Sequence, residues 1–257
     1  MSIDHGILAA LIALAAGLWV RRTTWFYKWE SAATVNLAGI LVGLVCMMPF
    51  ATPTFDCLHR VTGVWNLEDM VGHIASLTGI TVFAYVTLNR LELTNAAQWR
   101  HWRLELPATF VLPTLVGLFV PGSPDRHVRD LFTEPPNAWL AAYWVVLSGA
   151  ALWVLGHLLW ALAIIARYDA DSSTMAKIYL AAVSVNCWAV VAKLLSMALP
   201  GLGLETAAWV LICVSTVGYV LAAMYGMRQI KRWLAWPPPP PKQKQWVPPA
   251  PPDGAVA

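Results

Sequence analysis

The sequence predicts an all-α fold: a polytopic transmembrane helix bundle of about seven spans, with the N-terminus outside and the C-terminus cytoplasmic. Three observations predict it. Of 257 residues, 58% are hydrophobic and 12% charged, with a mean hydropathy of +0.58, whereas soluble domains carry about 25% charged residues. Apolar runs of bilayer length recur along most of the chain. Once those runs are threaded through a bilayer, the basic residues collect on one side of it. This composition excludes a water-soluble single domain and leaves no room for a separate globular domain of ordinary size.

The first run, 6–20, is short. It has Asp4 and no basic residue before it, and Arg21 and Arg22 directly after it, so it reads as an uncleaved anchor with its start outside rather than as a secretory leader. The second run is 31–50 and the third 70–88, both long enough to span. Segment 51–69 between them is expected to be an external loop carrying Asp56, His59, Arg60, Glu68 and Asp69. Segment 91–105 places Trp99 and Trp102 at helical spacing beside Arg100 and Arg103, as a helical extension of the third span or an interfacial amphipathic helix would. The fourth run, 106–120, is short and carries Pro113, which is expected to kink it and free a carbonyl for neighbouring helices to satisfy. A second external loop, 121–137, holds Asp125, Arg126, His127, Arg129, Asp130 and Glu134. Both outer loops are expected to lie on the helix ends. Runs 138–166, 176–199 and 206–227 complete a membrane domain over 1–232.

Segment 233–257 contains nine of the eighteen prolines, among them 237–241 followed by Lys242 and Lys244. Such a sequence samples polyproline II rather than helix, so it is expected to be a disordered cytoplasmic tail and a candidate docking segment for a partner with an aromatic groove.

The threading assigns thirteen basic residues to the inner side: Arg21, Arg22, Lys28, Arg90, Arg100, Arg103, Arg167, Lys177, Arg228, Lys231, Arg232, Lys242 and Lys244. The outer side receives Arg60, Arg126 and Arg129, and Lys193 stays within a span. Removing either short run alone would put basic segments on opposite sides. Trp19, Trp25, Trp29, Trp65, Trp99, Trp102, Trp139, Trp144, Trp209, Trp233 and Trp236 fall near predicted interfaces, where an amphipathic ring is most stable. The four cysteines form no CxxC pair and imply no disulfide framework.

Ionisable groups inside spans are costly, so each is a functional candidate. On the sixth span Tyr179, Asn186 and Lys193 recur every seven residues with Ser196 close behind, a polar stripe that must face other helices or a cavity. Lys193 is expected to pair with Glu68 or Asp69, to snorkel outward, or to bind a ligand. His73 lies about one turn below Glu68 and Asp69, with Ser76 on the same face. Glu68, Asp69, His73, Asn186 and Lys193 therefore form the candidate ligand site, open to the outside, with a hydrogen-bonded structural cluster as the alternative. His157 stands too far towards the inner face to share a haem with His73, and Cys57, His59 and His127 are too few and too scattered for a convincing metal site. No cofactor is expected. Gly72 and Gly79, Gly149 and Gly156, and Gly218, Ala222 and Gly226 offer faces for close helix packing or self-association.

The stretch 62–79, TGVWNLEDMVGHIASLTG, resembles a segment found in a family of actinobacterial integral membrane proteins of unknown function, often labelled transporters and frequently encoded near helix-turn-helix regulators. Thr62, Gly63, Asn66, Leu67 and His73 carry the resemblance, and the remainder agrees in its hydropathy plan. It implies a multi-pass plasma-membrane protein and supplies no catalytic residues. Two functions compete: a small transporter or ligand sensor with an outward-facing polar site, and a non-transporting interaction protein such as a membrane-complex subunit or a prophage-type exclusion or immunity factor. The spans contain no HExxH, GxSxG or paired-aspartate pattern, so no enzyme activity is expected, and nothing indicates nucleic-acid binding.

Overall fold

The structure, a computed structural model, describes residues 3–23, 31–48, 51–91, 101–128, 130–199 and 201–235. Eight α-helices form from them: α1 (Ile3–Val20), α2 (Ser31–Cys46), α3 (Thr52–Thr62), α4 (Leu67–Asn89), α5 (Leu106–Gly122), α6 (Ala138–Tyr168), α7 (Ser173–Ala198) and α8 (Leu204–Ala235). A single π-helical turn, His101–Glu105, leads into α5. The proline-rich tail beyond residue 235 and most of the predicted amphipathic stretch, 92–100, lie outside the described residues.

Five helices are long and apolar enough to cross a bilayer: α4, α5 with its π turn, α6, α7 and α8. This makes the chain a multi-pass membrane protein. The apolar helices α1 and α2 are shorter; the sixteen residues of α2 reach about 24 Å at 1.5 Å per residue, against a hydrocarbon core of about 30 Å.

Helices α1, α2, α4, α6, α7 and α8 pack in that order into a closed ring, α8 returning to α1, while α5 lies outside it against α6. Neighbouring contacts give the directions. Gly6 meets Cys213 and Gly17 meets Val220, so α1 and α8 run parallel; Gly218 meets Ala182 and Gly226 meets Met175, so α7 and α8 are antiparallel. The tightest crossing joins α2 to α4. A Cβ on Gly39 would stand 2.6 Å from the Ala75 carbonyl oxygen, and one on Gly72 2.8 Å from that of Gly43, so only glycine lets these backbones approach so closely. Of the predicted small-residue faces, those on α4 and α8 are packed. Gly149 and Gly156 on α6 are not: a Cβ there would meet no atom within 4 Å, because α5 covers only part of that face.

The outward faces carry exposed Leu8, Ile12, Val42, Val145, Trp188 and Val214, an apolar belt suited to lipid contact. α5 runs through Pro113 without ending, and the Thr114 hydroxyl, adjacent to it, donates to the Phe110 carbonyl at 2.7 Å.

At one end of the bundle Arg21 is fully buried rather than displayed in a basic loop. Its Nε donates to Thr34 Oγ1 at 3.1 Å and its Nη1 to the Ala223 carbonyl at 2.5 Å, tying the end of α1 to α2 and α8. At the same end Arg90 donates to Ser172 Oγ at 3.4 Å and Gln229 to the Asp171 carbonyl at 3.1 Å.

The opposite end departs from the expected picture of two surface loops. Segment 51–69 folds largely into α3 and the first turn of α4. Pro53 starts α3, and Gly63, at φ 71°, stops it. Asn66 then adopts the left-handed region at φ 56°, a conformation asparagine tolerates better than most residues. Its side chain donates to the Arg126 carbonyl at 3.2 Å and accepts the Val128 N–H at 2.8 Å. Ser123 Oγ donates to the Trp65 carbonyl at 2.6 Å. Held this way, the 123–137 loop turns inward, and Leu131 and Phe132 are buried in the bundle.

Candidate functional site

A cavity of about 160 Å³ opens within the ring. α2 contributes Ile40 and Leu44; α4 contributes His73, Ser76 and Ile80; α6 contributes Trp144 and Ser148; α7 contributes Asn186 and Lys193; α8 contributes Trp209 and Tyr219; and Phe132 closes in from the loop.

Three of the five sequence-predicted residues meet on this wall: His73, Asn186 and Lys193. The seven-residue stripe of α7 faces inward as its period requires. Tyr179 packs on Phe83 and Tyr219, with centroids 4.7 and 6.3 Å apart. Asn186 Nδ2 donates to the Tyr219 hydroxyl at 3.3 Å, and Ser196 Oγ to the Lys193 carbonyl at 2.8 Å.

Glu68 and Asp69 are absent from the wall. Both are buried in the first turn of α4, where Glu68 Oε1 stands 3.4 Å from His127 Nδ1 and the Asp69 carboxylate accepts the Leu131 N–H. They hold the loop. The anticipated pairing of Lys193 with either acid is not formed, because the loop comes between.

Lys193 is 4% exposed. Its ammonium donates to the Phe132 carbonyl and lies over two rings, 4.3 Å from the Phe132 centroid and 4.4 Å from that of Trp144, as cation–π attraction favours. Among the described residues no carboxylate stands at ion-pairing distance from it. The acids that act on it from further off are Asp130 and Glu205, both outside the cavity wall. Asp130 Oδ1 accepts the Phe132 N–H at 2.9 Å, and its Oδ2 the Trp209 Nε1–H at 3.3 Å.

His73 Nδ1 lies 2.9 Å from the Tyr143 hydroxyl, and its ring meets Trp144 edge-on at 4.9 Å. Trp144 itself is 2% exposed, and its indole N–H has no hydrogen-bond partner. A buried donor left unpaired costs about 1–3 kcal/mol.

Sequence reasoning missed Tyr143, Trp144, Phe132, Trp209 and Tyr219. Hydropathy sets Trp144 and Trp209 near the interface, yet both are buried. The available signal was depth: Trp144 lies six residues beyond the start of α6 at Ala138, roughly 9 Å in at 1.5 Å per residue.

His157 is turned away from this cavity, its Nδ1 2.7 Å from the Trp153 carbonyl. Cys57, His59 and His127 do not converge: among the described residues no group of three or more His, Cys, Asp or Glu side chains is placed to hold a metal. His59 instead stacks on Trp65, with centroids 3.3 Å apart.

No family model, no curated protein and no solved structure matches the chain. The 62–79 motif does have a local explanation here. Gly63 and Asn66 make the left-handed corner, Asn66 clasps the loop, and His73 reaches the cavity.

Proposed function

We propose that the chain is a plasma-membrane protein of seven spans that binds a small ligand in its central cavity, as a transporter or a ligand sensor, and that its N-terminus lies outside and its tail in the cytoplasm. One observation carries the reading: among the described residues, a buried lysine without an acid partner and a buried indole N–H without an acceptor share one small cavity. Ordinary packing would leave neither. The charge asymmetry of the loops, the parallel course of α1 and α8 and the resemblance of the 62–79 motif support the topology and the class.

The test is the melting temperature of the detergent-purified protein against a panel of small metabolites, for wild type, His73→Ala and Lys193→Ala. A ligand that raises the wild-type value and acts on neither variant supports the reading. If both variants merely melt lower and no ligand acts on any of the three, the polar groups are structural. The interaction-protein reading then takes over, favoured by the bonds of His73 to Tyr143 and of Lys193 to the loop. The topology is tested separately at Cys57, which is exposed while Cys46, Cys187 and Cys213 sit in the bundle helices. A membrane-impermeant maleimide should label intact cells, and Cys57→Ser should abolish the labelling. Labelling only after lysis would invert the orientation.

A further inference from the structure

We propose that the ligand of the central cavity is a small monocarboxylate with a short apolar body and no α-ammonium group, its oxygens held by Lys193 Nζ and the Trp144 indole N–H. This rests on reading the cavity as a ligand site.

The wall is one-sided in its chemistry. Its described residues include one full cation, Lys193, and one histidine, and no aspartate or glutamate. The unpaired donor on the wall is the Trp144 N–H, and Asn186 has spent a donor on Tyr219. His73 directs its Nδ1 to Tyr143. A ligand with acceptor oxygens therefore finds a cation held by a neutral carbonyl and, on the same wall, a tryptophan with an unpaired N–H, whereas a ligand ammonium finds no carboxylate on the wall to pair with. That favours a simple acid over amino acids and amines.

Geometry places the two donors together. Lys193 Nζ lies 4.4 Å from the Trp144 ring centroid, so the ammonium and the tryptophan that carries the unpaired N–H share one part of the wall. Charge-assisted bonds from the ammonium to a carboxylate are the stronger class, and they would replace the neutral Phe132 carbonyl that now receives the ammonium. Most of the remaining wall is apolar, with Ile40, Leu44, Leu77, Ile80, Val190 and Ile212, and the hydroxyls of Ser76, Ser148, Ser215 and Thr216 are its neutral polar groups. It suits a short aliphatic or aromatic remainder, and the cavity of about 160 Å³ sets its size. Since the same carbonyl lies on the inward-turned loop, occupancy would release one of the ties that hold Phe132 over the ammonium.

The experiment is equilibrium dialysis of the full chain in detergent micelles with radiolabelled benzoate and butyrate, competed by benzamide, butyramide, butylamine and alanine. The proteins are wild type, Lys193→Met, Lys193→Arg and Trp144→Phe. Expected is saturable binding of the carboxylates, with the matched amides at least tenfold weaker competitors and the amine and alanine inactive. Lys193→Met should lose binding, Lys193→Arg should retain part of it, and Trp144→Phe, which keeps an aromatic ring and removes the N–H, should weaken it about tenfold. If the amides compete as well as the acids, or Lys193→Met binds unchanged, the carboxylate assignment falls while the cavity stands as a ligand site. If none of these compounds binds while a member of the metabolite panel still raises the wild-type melting temperature and acts on neither His73→Ala nor Lys193→Ala, the carboxylate assignment falls and the ligand-site reading stands; if nothing in the panel acts either, both fall.

Discussion

Alanine at Gly43 is predicted to weaken the bundle, and the same substitution at Gly149 to strengthen it. At Gly43 the new Cβ would stand 2.0 Å from Ser76 Oγ and 2.9 Å from the Gly72 carbonyl oxygen. The serine can rotate. The carbonyl cannot, because it belongs to the backbone of α4, so α2 must back away by several tenths of an ångström. That retreat also loosens the Gly39 crossing, where a Cβ would meet the Ala75 carbonyl at 2.6 Å. Overpacking on this scale costs about 1–3 kcal/mol, and exchanging glycine for alanine inside a helix returns about 0.5–1 kcal/mol. At the middle of these ranges the net loss at Gly43 is about 1 kcal/mol, and at most about 2.5 kcal/mol. At Gly149 nothing lies within 4 Å of the added methyl, so only the helix gain of about 0.5–1 kcal/mol remains. Denaturant unfolding in micelles, followed by circular dichroism, should rank Gly149→Ala above wild type and wild type above Gly43→Ala. Adding Ser76→Ala to Gly43→Ala should recover part of the loss, since the hydroxyl goes and the carbonyl contact stays. A Gly43→Ala protein as stable as wild type would refute the close α2–α4 crossing. Equal losses at both sites would show that the open space beside Gly149 is filled.

Other outcomes follow from the same geometry. Arg21→Met should cost about 2–4 kcal/mol, because the buried Thr34 hydroxyl and Ala223 carbonyl lose charge-assisted donors at 3.1 and 2.5 Å; thermal unfolding checks it, and a loss below ~0.5 kcal/mol would mean the side chain lies in solvent. Asn66→Ala should lose about 2–3 kcal/mol, from two loop bonds and the strain of a left-handed alanine, and hydrogen exchange should rise across 123–137 before it rises in α7. Asp169 gives a pH effect beyond the end of α6: the Ser172 hydroxyl, the Ser172 N–H and the Arg90 charge hold its carboxyl below the usual aspartate value. A depressed carboxylate stabilises above its unfolded pKa and loses that contribution as pH falls through its lower folded value. Asp169→Asn should thus melt slightly below wild type at pH 6 and converge with it under strong acid; a gap that widened on acidification would reverse the sign.

The five span-length helices were legible because hydropathy reports what a bilayer demands of any chain. The α7 stripe was legible because Tyr179, Asn186 and Lys193 repeat with a helical period that fixes their common face. What escaped depends on contacts between segments far apart in sequence. Depth along α6 was the local hint for Trp144, but its burial also depends on Phe132, which the inward loop brings to 5.5 Å from its ring. Arg21 reads as a topology marker, since nothing local says that Thr34 and Ala223 wait for its guanidinium. Glu68 and Asp69 lie at the depth their positions imply, but they do not serve the lysine. Acids beside a lysine suggest an ion pair, and the intervening loop takes both sides of it instead.

That loop makes the buried charge and the left-handed corner parts of a single arrangement. Lys193 can lie at 4% exposure only if something receives its ammonium, and burying an unpaired charge would cost several kcal/mol. The receiver is a backbone carbonyl on a segment that would otherwise lie in water. The segment stays down because Asn66 grips the 126–128 backbone, Asp69 takes the Leu131 N–H and Asp130 caps Phe132. Asn66, Asp69 and Asp130 do not line the cavity, yet each sets the position of the Phe132 carbonyl and therefore how firmly the ammonium is held. A ligand that competes for Lys193 must outbid that carbonyl, so loosening the corner should make the lysine easier to recruit. Asn66→Ala should then bind a fitting ligand no more weakly than wild type while being less stable without it, a combination that damage to the cavity itself would not produce.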